Sequence, residues 1–263
     1  MKLARIKHVS LGEPRFARIE GGAVYPLASG RWFDDTHFKD GTQKLPLAEV
    51  TLLAPVVPSK IVCVGRNYLE HALELGNKMP DEPLLFLKAP SAIIGDGDKI
   101  VLPAESKQVE HEGELGVVIG KHARAVSDQE DPLAYVLGYT CVNDITARDL
   151  QRKDVQFTRA KSFDSFCPVG PWIVTELDPA NASVTTRVNG SVRQQGQTSD
   201  MAFSVPFLIR YISRIMTLNP GDLISTGTPA GVGPLKSNDV VEVEVDGVGL
   251  LRNEVYEKSR NER

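Results

Sequence analysis

His111-Glu112-Gly113-Glu114-Leu115-Gly116-Val117-Val118-Ile119-Gly120 is the stretch from which the rest of the chain can be read. Its apolar, β-branched run ends in a glycine and reads as a buried strand over residues 115–119. Two carboxylates stand at its start. Residues two apart on a strand share a face, so Glu112 and Glu114 point one way and Gly113 the other. Close like charges repel, and one of the pair would normally take up a proton unless a divalent cation lies between them. Carboxylate ligands without cysteine or clustered histidine favour Mg²⁺ or Mn²⁺ over zinc. The alternative is a solvated polar edge, with Glu110 on the same face, and this segment alone does not decide between the two.

Strand signals dominate on both sides of that stretch. Residues 60–64 and 136–142 are apolar runs of the same kind. Residues 184–188 and 192–195 flank Asn189-Gly190, a hairpin turn pair, and residues 240–245 and 249–255 flank Asp246-Gly247. Helical patterns are few. Asn67 with Glu70 three residues later reads as a capped helix start, and Gly76 as its stop. Residues 147–153 read as a short helix. Phe203, Phe207, Leu208, Tyr211, Ile212, Ile215 and Met216 recur at helical spacing. There is no regular βαβ alternation, so a Rossmann or TIM-barrel fold fits poorly, and the chain is expected to be a β-rich α+β protein. Residues 1–55 differ from the rest: short runs broken by Gly12, Pro14, Gly21, Gly22 and Gly30 suggest a small N-terminal accessory β domain, with a main domain over 56–263.

The chain has 263 residues, enough to bury a large core without staples. Its 30 basic and 34 acidic side chains give a net charge of −4, with no basic excess to suggest nucleic acid or an anionic membrane. Three cysteines without a CxxC pair argue against a disulfide scaffold. The apolar segment 201–218 carries Arg210 and Arg214 and is no membrane span, and the N-terminus lacks a signal-peptide core. These features together read as a soluble, cytoplasmic protein.

Further residues could carry chemistry. Asp144 ends an apolar strand, where it could join the Glu112 pair or simply cap a helix. His71 and Glu74 share a helix face; a carboxylate beside a histidine orients the ring and makes a general base, although an exposed helix pair would look the same. Lys88 closes an apolar run. Lys161 has apolar neighbours, so it needs an anionic partner; Asp164 is the structural candidate, and in that case Lys161 would be only a salt-bridge lysine. Residues 221–233 form a glycine-rich turn without the GK[ST] of a phosphate loop.

Taken in series, Gly65-Arg66-Asn67-Tyr68 with His71 and Glu74, Phe86-Leu87-Lys88, His111 to Gly116, Asn143 to Gln151, Lys161 to Asp164, and Thr226-Gly227-Thr228-Pro229 with Gly231 and Gly233 resemble the fumarylacetoacetate hydrolase superfamily over about residues 60–255. The resemblance implies a mixed β-sandwich roll that forms a homodimer. It makes Glu112, Glu114 and Asp144 ligands of Mg²⁺ or Mn²⁺, and His71 with Glu74 the base. Lys161 becomes a catalytic residue, and Arg148, Gln151, Lys161 and Thr228 become contacts to a small 2-oxo or diketo acid. Family members cleave C–C bonds of acylpyruvates, and this divalent-metal-dependent hydrolysis is the first expectation. A 2-hydroxyhepta-2,4-diene-1,7-dioate-type isomerase and an oxaloacetate decarboxylase need the same enolate and stand close behind. A non-catalytic binder of 2-oxo acids is a further alternative, one that would have no use for the His71–Glu74 pair. Whatever the reaction, Lys161→Met is expected to lower kcat with little change in stability.

Overall fold

Gly113–Ile119 forms a strand buried along its whole length, and the architecture is built around it. A computed structural model describes residues 1–28, 41 and 43–257; the break expected at Gly30 and the last residues, 258–263, lie outside these. The central strand pairs antiparallel with Val136–Asn143 on one edge and with Leu223–Ser225 on the other. Leu223–Ser225 runs parallel to Ile61–Gly65, which pairs with Leu84–Lys88. On the opposite flank, Val136–Asn143 pairs with Cys167–Val174, and that strand with Lys2–Lys7. The N-terminal strands Arg15–Glu20, Ala23–Pro26 and Leu45–Pro46 follow in order, so the β unit expected at the N-terminus extends one 12-stranded sheet.

A second sheet of five strands packs on this one, with Ser183–Val188, Val240–Val245 and Gly249–Glu257 at its centre. Gly113 marks the closest approach: a Cβ there would lie 2.0 Å from Thr186 Oγ1 and 3.2 Å from Val243 Cγ1. Leu115, Val117 and Ile119 pack with Val184, Val243 and Val245 between the sheets, while Val118 packs with Cys63 and Val142 on the other side. The strand is therefore apolar on both faces, and truncating Leu115 to alanine would cost about 2–5 kcal/mol. Gly113 faces the second sheet, and the two glutamates face away from it.

The chain is β-rich with few helices, as expected. The Asn189-Gly190 turn has both residues at positive φ, 52° and 77°, as a two-residue hairpin requires. Helix Val205–Ile215 forms but buries a narrower face than its apolar stripe suggested: Leu208, Ile209 and Ile212 are buried, and Phe207 is 46% exposed. Phe203, Phe207 and Tyr211 instead stack on one another along its outer side. Among the described residues, no helix is long and apolar enough to cross a membrane.

Candidate active site

The strand pairing builds the acidic cluster. Gly113 pairs with Asn143, which brings the residue before one strand beside the residue after the other. Asp144 then donates its backbone N–H to Glu112 O at 2.8 Å. Glu112 lies at a break, because the preceding strand Val109–His111 leaves for a small sheet with Thr146–Ala147 and Gly233–Pro234. Strand alternation alone is therefore not what aligns the two glutamates. Ligand atoms of Glu112, Glu114 and Asp144 all lie within 4.8 Å of one another. Exposures of 3%, 2% and 1% rule out the solvated edge. Asp144 caps no helix: the helix Arg148–Lys153 starts after it, with Ala147 at the cap position.

Unpaired, three buried carboxylates would be prohibitive, and basic side chains offset two of them. Lys161 Nζ donates to Glu112 Oε2 and Asp144 Oδ2, both at 2.7 Å. Lys88 Nζ donates to Asp144 Oδ1 at 2.6 Å and to Ile145 O at 3.1 Å. Arg148 donates to Glu112 Oε1, to Glu110 Oε2 at 2.8 Å and to Gln151 Oε1 at 2.6 Å. Burial opposes ionisation of Glu112, but Lys161 and Arg148 outweigh it and hold the group well below the usual carboxylate range. Burial likewise disfavours the Lys161 ammonium, and Asp144 and Glu112 more than restore it. Asp164 plays no part in this: it is exposed, and the partners of Lys161 are members of the acidic cluster.

Among the described residues, Glu114 has no cationic partner. It accepts from Gly227 N at 2.8 Å and from Ser225 Oγ. Burial and the charges of Asp144 and Glu112 push its pKa up to about 8. The cluster therefore fits a hard divalent cation: it offers three oxygen donors, and the one held protonated is the one such an ion would discharge. In the metal-free protein Glu114 is protonated when folded and ionised when unfolded between about pH 4.5 and 8, so stability falls as pH rises through that window. Mg²⁺ affinity should accordingly rise by up to about tenfold per pH unit up to pH ~8 and then level off, with roughly one proton released per ion at neutral pH. Titration calorimetry in buffers of different ionisation enthalpy measures both. Binding without proton release at neutral pH would remove Glu114 from the ligand set.

The His71–Glu74 pair lies on the helix Leu69–Glu74. His71 Nδ1 lies 3.4 Å from Glu74 Oε2, so Nδ1 is the donor and Nε2 is left to accept a proton. Glu74 is itself fixed by Gly231 N, at 3.0 Å and 3.2 Å from its two oxygens. The helix ends as the sequence suggests: Gly76 has φ 69°, Gly76 N donates to Leu73 O and Asn77 N to Ala72 O. Its start differs. Tyr68 is the cap residue, and Asn67 is buried, with its amide bonded to Thr226 O at 2.7 Å, Phe203 O at 3.0 Å and Phe203 N at 2.8 Å. Asn67 joins the helix to the glycine turn instead of capping it. Gly227 in that turn has φ 103°, and a Cβ there would lie 2.6 Å from Asn67 Cβ.

All nine residues singled out from the sequence line one cavity of about 390 Å³. Arg66, Phe86, Arg152 and Phe157 line it as well and carried no role in the sequence reading. Lys88 was noted there only as a polar residue in an apolar run, and that run was the available signal. Thr228 offers less than expected. Its hydroxyl proton is committed to Gly113 O at 2.8 Å, and Thr228 Oγ1 itself accepts from Gln194 Nε2 at 2.7 Å. Gln194 Oε1 in turn accepts from Gly113 N at 3.0 Å and His111 Nδ1 at 3.1 Å, which locks the turn to the Glu112 segment.

Fold and site together place an acidic cluster that fits a divalent cation and a histidine–glutamate pair on one cavity of a β-rich protein. Residues 60–256 match the family model described as fumarylacetoacetate (FAA) hydrolase C-terminal, and residues 1–55 one described as Rv2993c-like, N-terminal. A protein of Archaeoglobus fulgidus is 49% identical over 243 residues, covering 90% of this chain and 97% of its own. Oxaloacetate tautomerase YisK of Bacillus subtilis is 44% identical over 239 residues, covering 85% of this chain and 79% of its own. The crystal structure of 2-hydroxyhepta-2,4-diene-1,7-dioate isomerase from Mycobacterium marinum aligns with a TM-score of 0.89 at 43% identity, covering 99% of this chain and 100% of that one. The chain belongs to the fumarylacetoacetate hydrolase family and is an enzyme of that family.

Proposed function

We propose that this enzyme moves a proton at C3 of a 2-oxo acid, interconverting its keto and enol forms. The observation that carries the reading is the His71–Glu74 pair, with Nε2 of His71 left to accept a proton, on the same cavity as the acidic cluster. The sequence likeness to a tautomerase and to an isomerase supports it, since both reactions are proton transfers. His71 Nε2 takes the C3 proton, the C–H electron pair becomes the C2–C3 double bond, and negative charge moves onto the C2 oxygen. Glu74 stabilises the imidazolium that forms, and the enol is completed when the C2 oxygen takes a proton from water while the imidazolium returns its proton to water. Lys161, with two of its three N–H groups held by Glu112 and Asp144, places its positive charge beside that oxygen. Phe86 covers the ammonium at 4.9 Å and strengthens its field by excluding water. Gln151 Oε1 is taken by Arg148, which leaves its Nε2 to donate to the substrate carboxylate. Glu112, Glu114 and Asp144 would hold a Mg²⁺ or Mn²⁺ ion, which supplies Lewis-acid stabilisation of the enolate charge when bound.

C–C hydrolysis of acylpyruvates and decarboxylation of oxaloacetate pass through the same enolate. A panel of oxaloacetate, acetylpyruvate, fumarylpyruvate and a hydroxyheptadienedioate, with added Mg²⁺ or Mn²⁺, separates them. The expected result is fast enol–keto exchange of oxaloacetate with little C–C cleavage. Cleavage of acetylpyruvate or fumarylpyruvate at a higher kcat/KM would restore the hydrolase reading. Residues 1–55 as an accessory unit, the homodimer and the cytoplasmic setting belong to the same proposal, and light scattering on the purified protein tests the dimer.

A further inference from the structure

Four cationic side chains line the cavity: Arg66, Arg148, Arg152 and Lys161. Arg148 and Lys161 are engaged by Glu110, Glu112 and Asp144. Arg152 is exposed and donates to Gln108 Oε1 at 3.1 Å. Arg66 is half-buried and has no hydrogen bond or ion pair among the described residues. Its backbone adds a second observation. Arg66 has φ 56°, in the left-handed region that favours glycine. It forms the turn between the strand Ile61–Gly65 and the His71 helix, and a glycine would make that turn with less strain. An arginine kept there against its backbone preference points to a use for its side chain.

The cavity lining combines different chemistries. The acidic cluster and Lys161 suit a 2-oxo acid head. Phe86 and Phe157, edge to face at 5.6 Å, give an apolar stretch that suits a carbon chain. Arg66 is a cation left over. We propose that Arg66 binds a second carboxylate on the substrate and so selects dicarboxylic 2-oxo acids over those with a neutral tail. The proposal rests on the enolate reading for the identity of the head group, and adds the chemistry of the substrate's tail. The planar fork of a guanidinium suits a carboxylate, which it can grip through two parallel N–H bonds.

Equilibrium binding to the Mg²⁺-supplemented protein tests this independently of reaction rate, because keto–enol exchange is reversible and 2-oxo acid and enol reach equilibrium together. The probes are pairs of equal chain length with and without the terminal carboxylate: 2-oxoglutarate against 2-oxopentanoate, and oxaloacetate against 2-oxobutanoate. At one chain length at least, the dicarboxylate should bind about 10- to 100-fold more tightly, the range of a charge-assisted hydrogen bond. Arg66→Gly should reduce that preference to within about threefold. Because glycine suits φ 56°, the variant should melt within about 3 °C of the parent, so a folding defect cannot account for the loss. Arg66→Lys should restore part of the preference. No preference at either chain length, or a preference that survives Arg66→Gly, overturns the proposal. A protein that shows the Arg66-dependent preference yet exchanges no C3 proton refutes the proposed reaction alone; one that exchanges the proton without the preference refutes only the role of Arg66.

Discussion

His71→Ala should lower kcat for enol–keto exchange by about 10²- to 10⁴-fold, the usual contribution of a positioned general base. Its effect on decarboxylation of oxaloacetate should be much smaller, because loss of CO₂ generates the enolate without removal of a proton. The structure allows this variant to stay folded. Alanine is a better helix former than histidine, and the helix is held at its C-terminal end by the Gly76 and Asn77 bonds. Glu74 keeps its anchor at Gly231 N when the ring is gone. Divalent-cation affinity should change little, since Glu112, Glu114 and Asp144 are positioned by strand pairing and by Lys161, Lys88 and Gly227. The measurement is kcat for both reactions on one preparation, with cation binding as a control. Equal losses in the two reactions would mean that His71 orients the substrate and does not take its proton.

What the sequence revealed, and what it hid, follows from the range of the interactions. Local signals were legible. The apolar run at 115–119, the Asn189-Gly190 turn and Gly76 as a helix stop all depend on neighbours within a few residues, and all were found in place. Residues that act across the fold were not. Asn67 looks like a cap because asparagines often are, but its amide is engaged by Phe203 and Thr226, over 130 positions away. Lys88 meets Asp144 across 56 positions, and no periodicity encodes that contact. The break before Gly113 was invisible because Val109, Glu110 and His111 carry the same strand pattern while pairing in a different sheet. The N-terminal strands read as a unit because turns punctuate them; the pairing of Lys2–Lys7 with Cys167–Val174, which joins that unit to the large sheet, is set by the later strand and has no local signal. Family resemblance supplied the site residues. It did not reveal that Arg148 and Lys161 are largely committed to internal carboxylates, which changes what each can offer a substrate.

That commitment reverses one expectation. With its ammonium turned to the substrate oxygens, Lys161 would contribute little to stability, and a large loss would point instead to a salt bridge with Asp164. In the structure Lys161 is buried and bridges Glu112 and Asp144. Lys161→Met keeps the apolar stem but leaves those carboxylates facing each other with less compensation. Removing one partner of a buried ion pair costs about 3–5 kcal/mol. In the presence of a chelator the variant should therefore melt about 6–20 °C below the parent. Mg²⁺ should recover much of this loss, because an ion that binds only the folded chain adds about 2.7 kcal/mol at a hundredfold excess over its dissociation constant. Activity should not recover with it: kcat should stay down by about 10²- to 10³-fold, since the charge that met the enolate oxygen is gone. Asp164→Asn, an exposed change, should alter neither quantity beyond about 0.5 kcal/mol or its equivalent in rate. Thermal melts with chelator and with Mg²⁺, beside kcat for each variant, separate the two functions of the lysine. A Lys161→Met protein that melts normally in chelator would show that Arg148 and Lys88 suffice to hold the cluster, and one that regains full kcat with Mg²⁺ would show that the lysine serves the cluster and not the reaction.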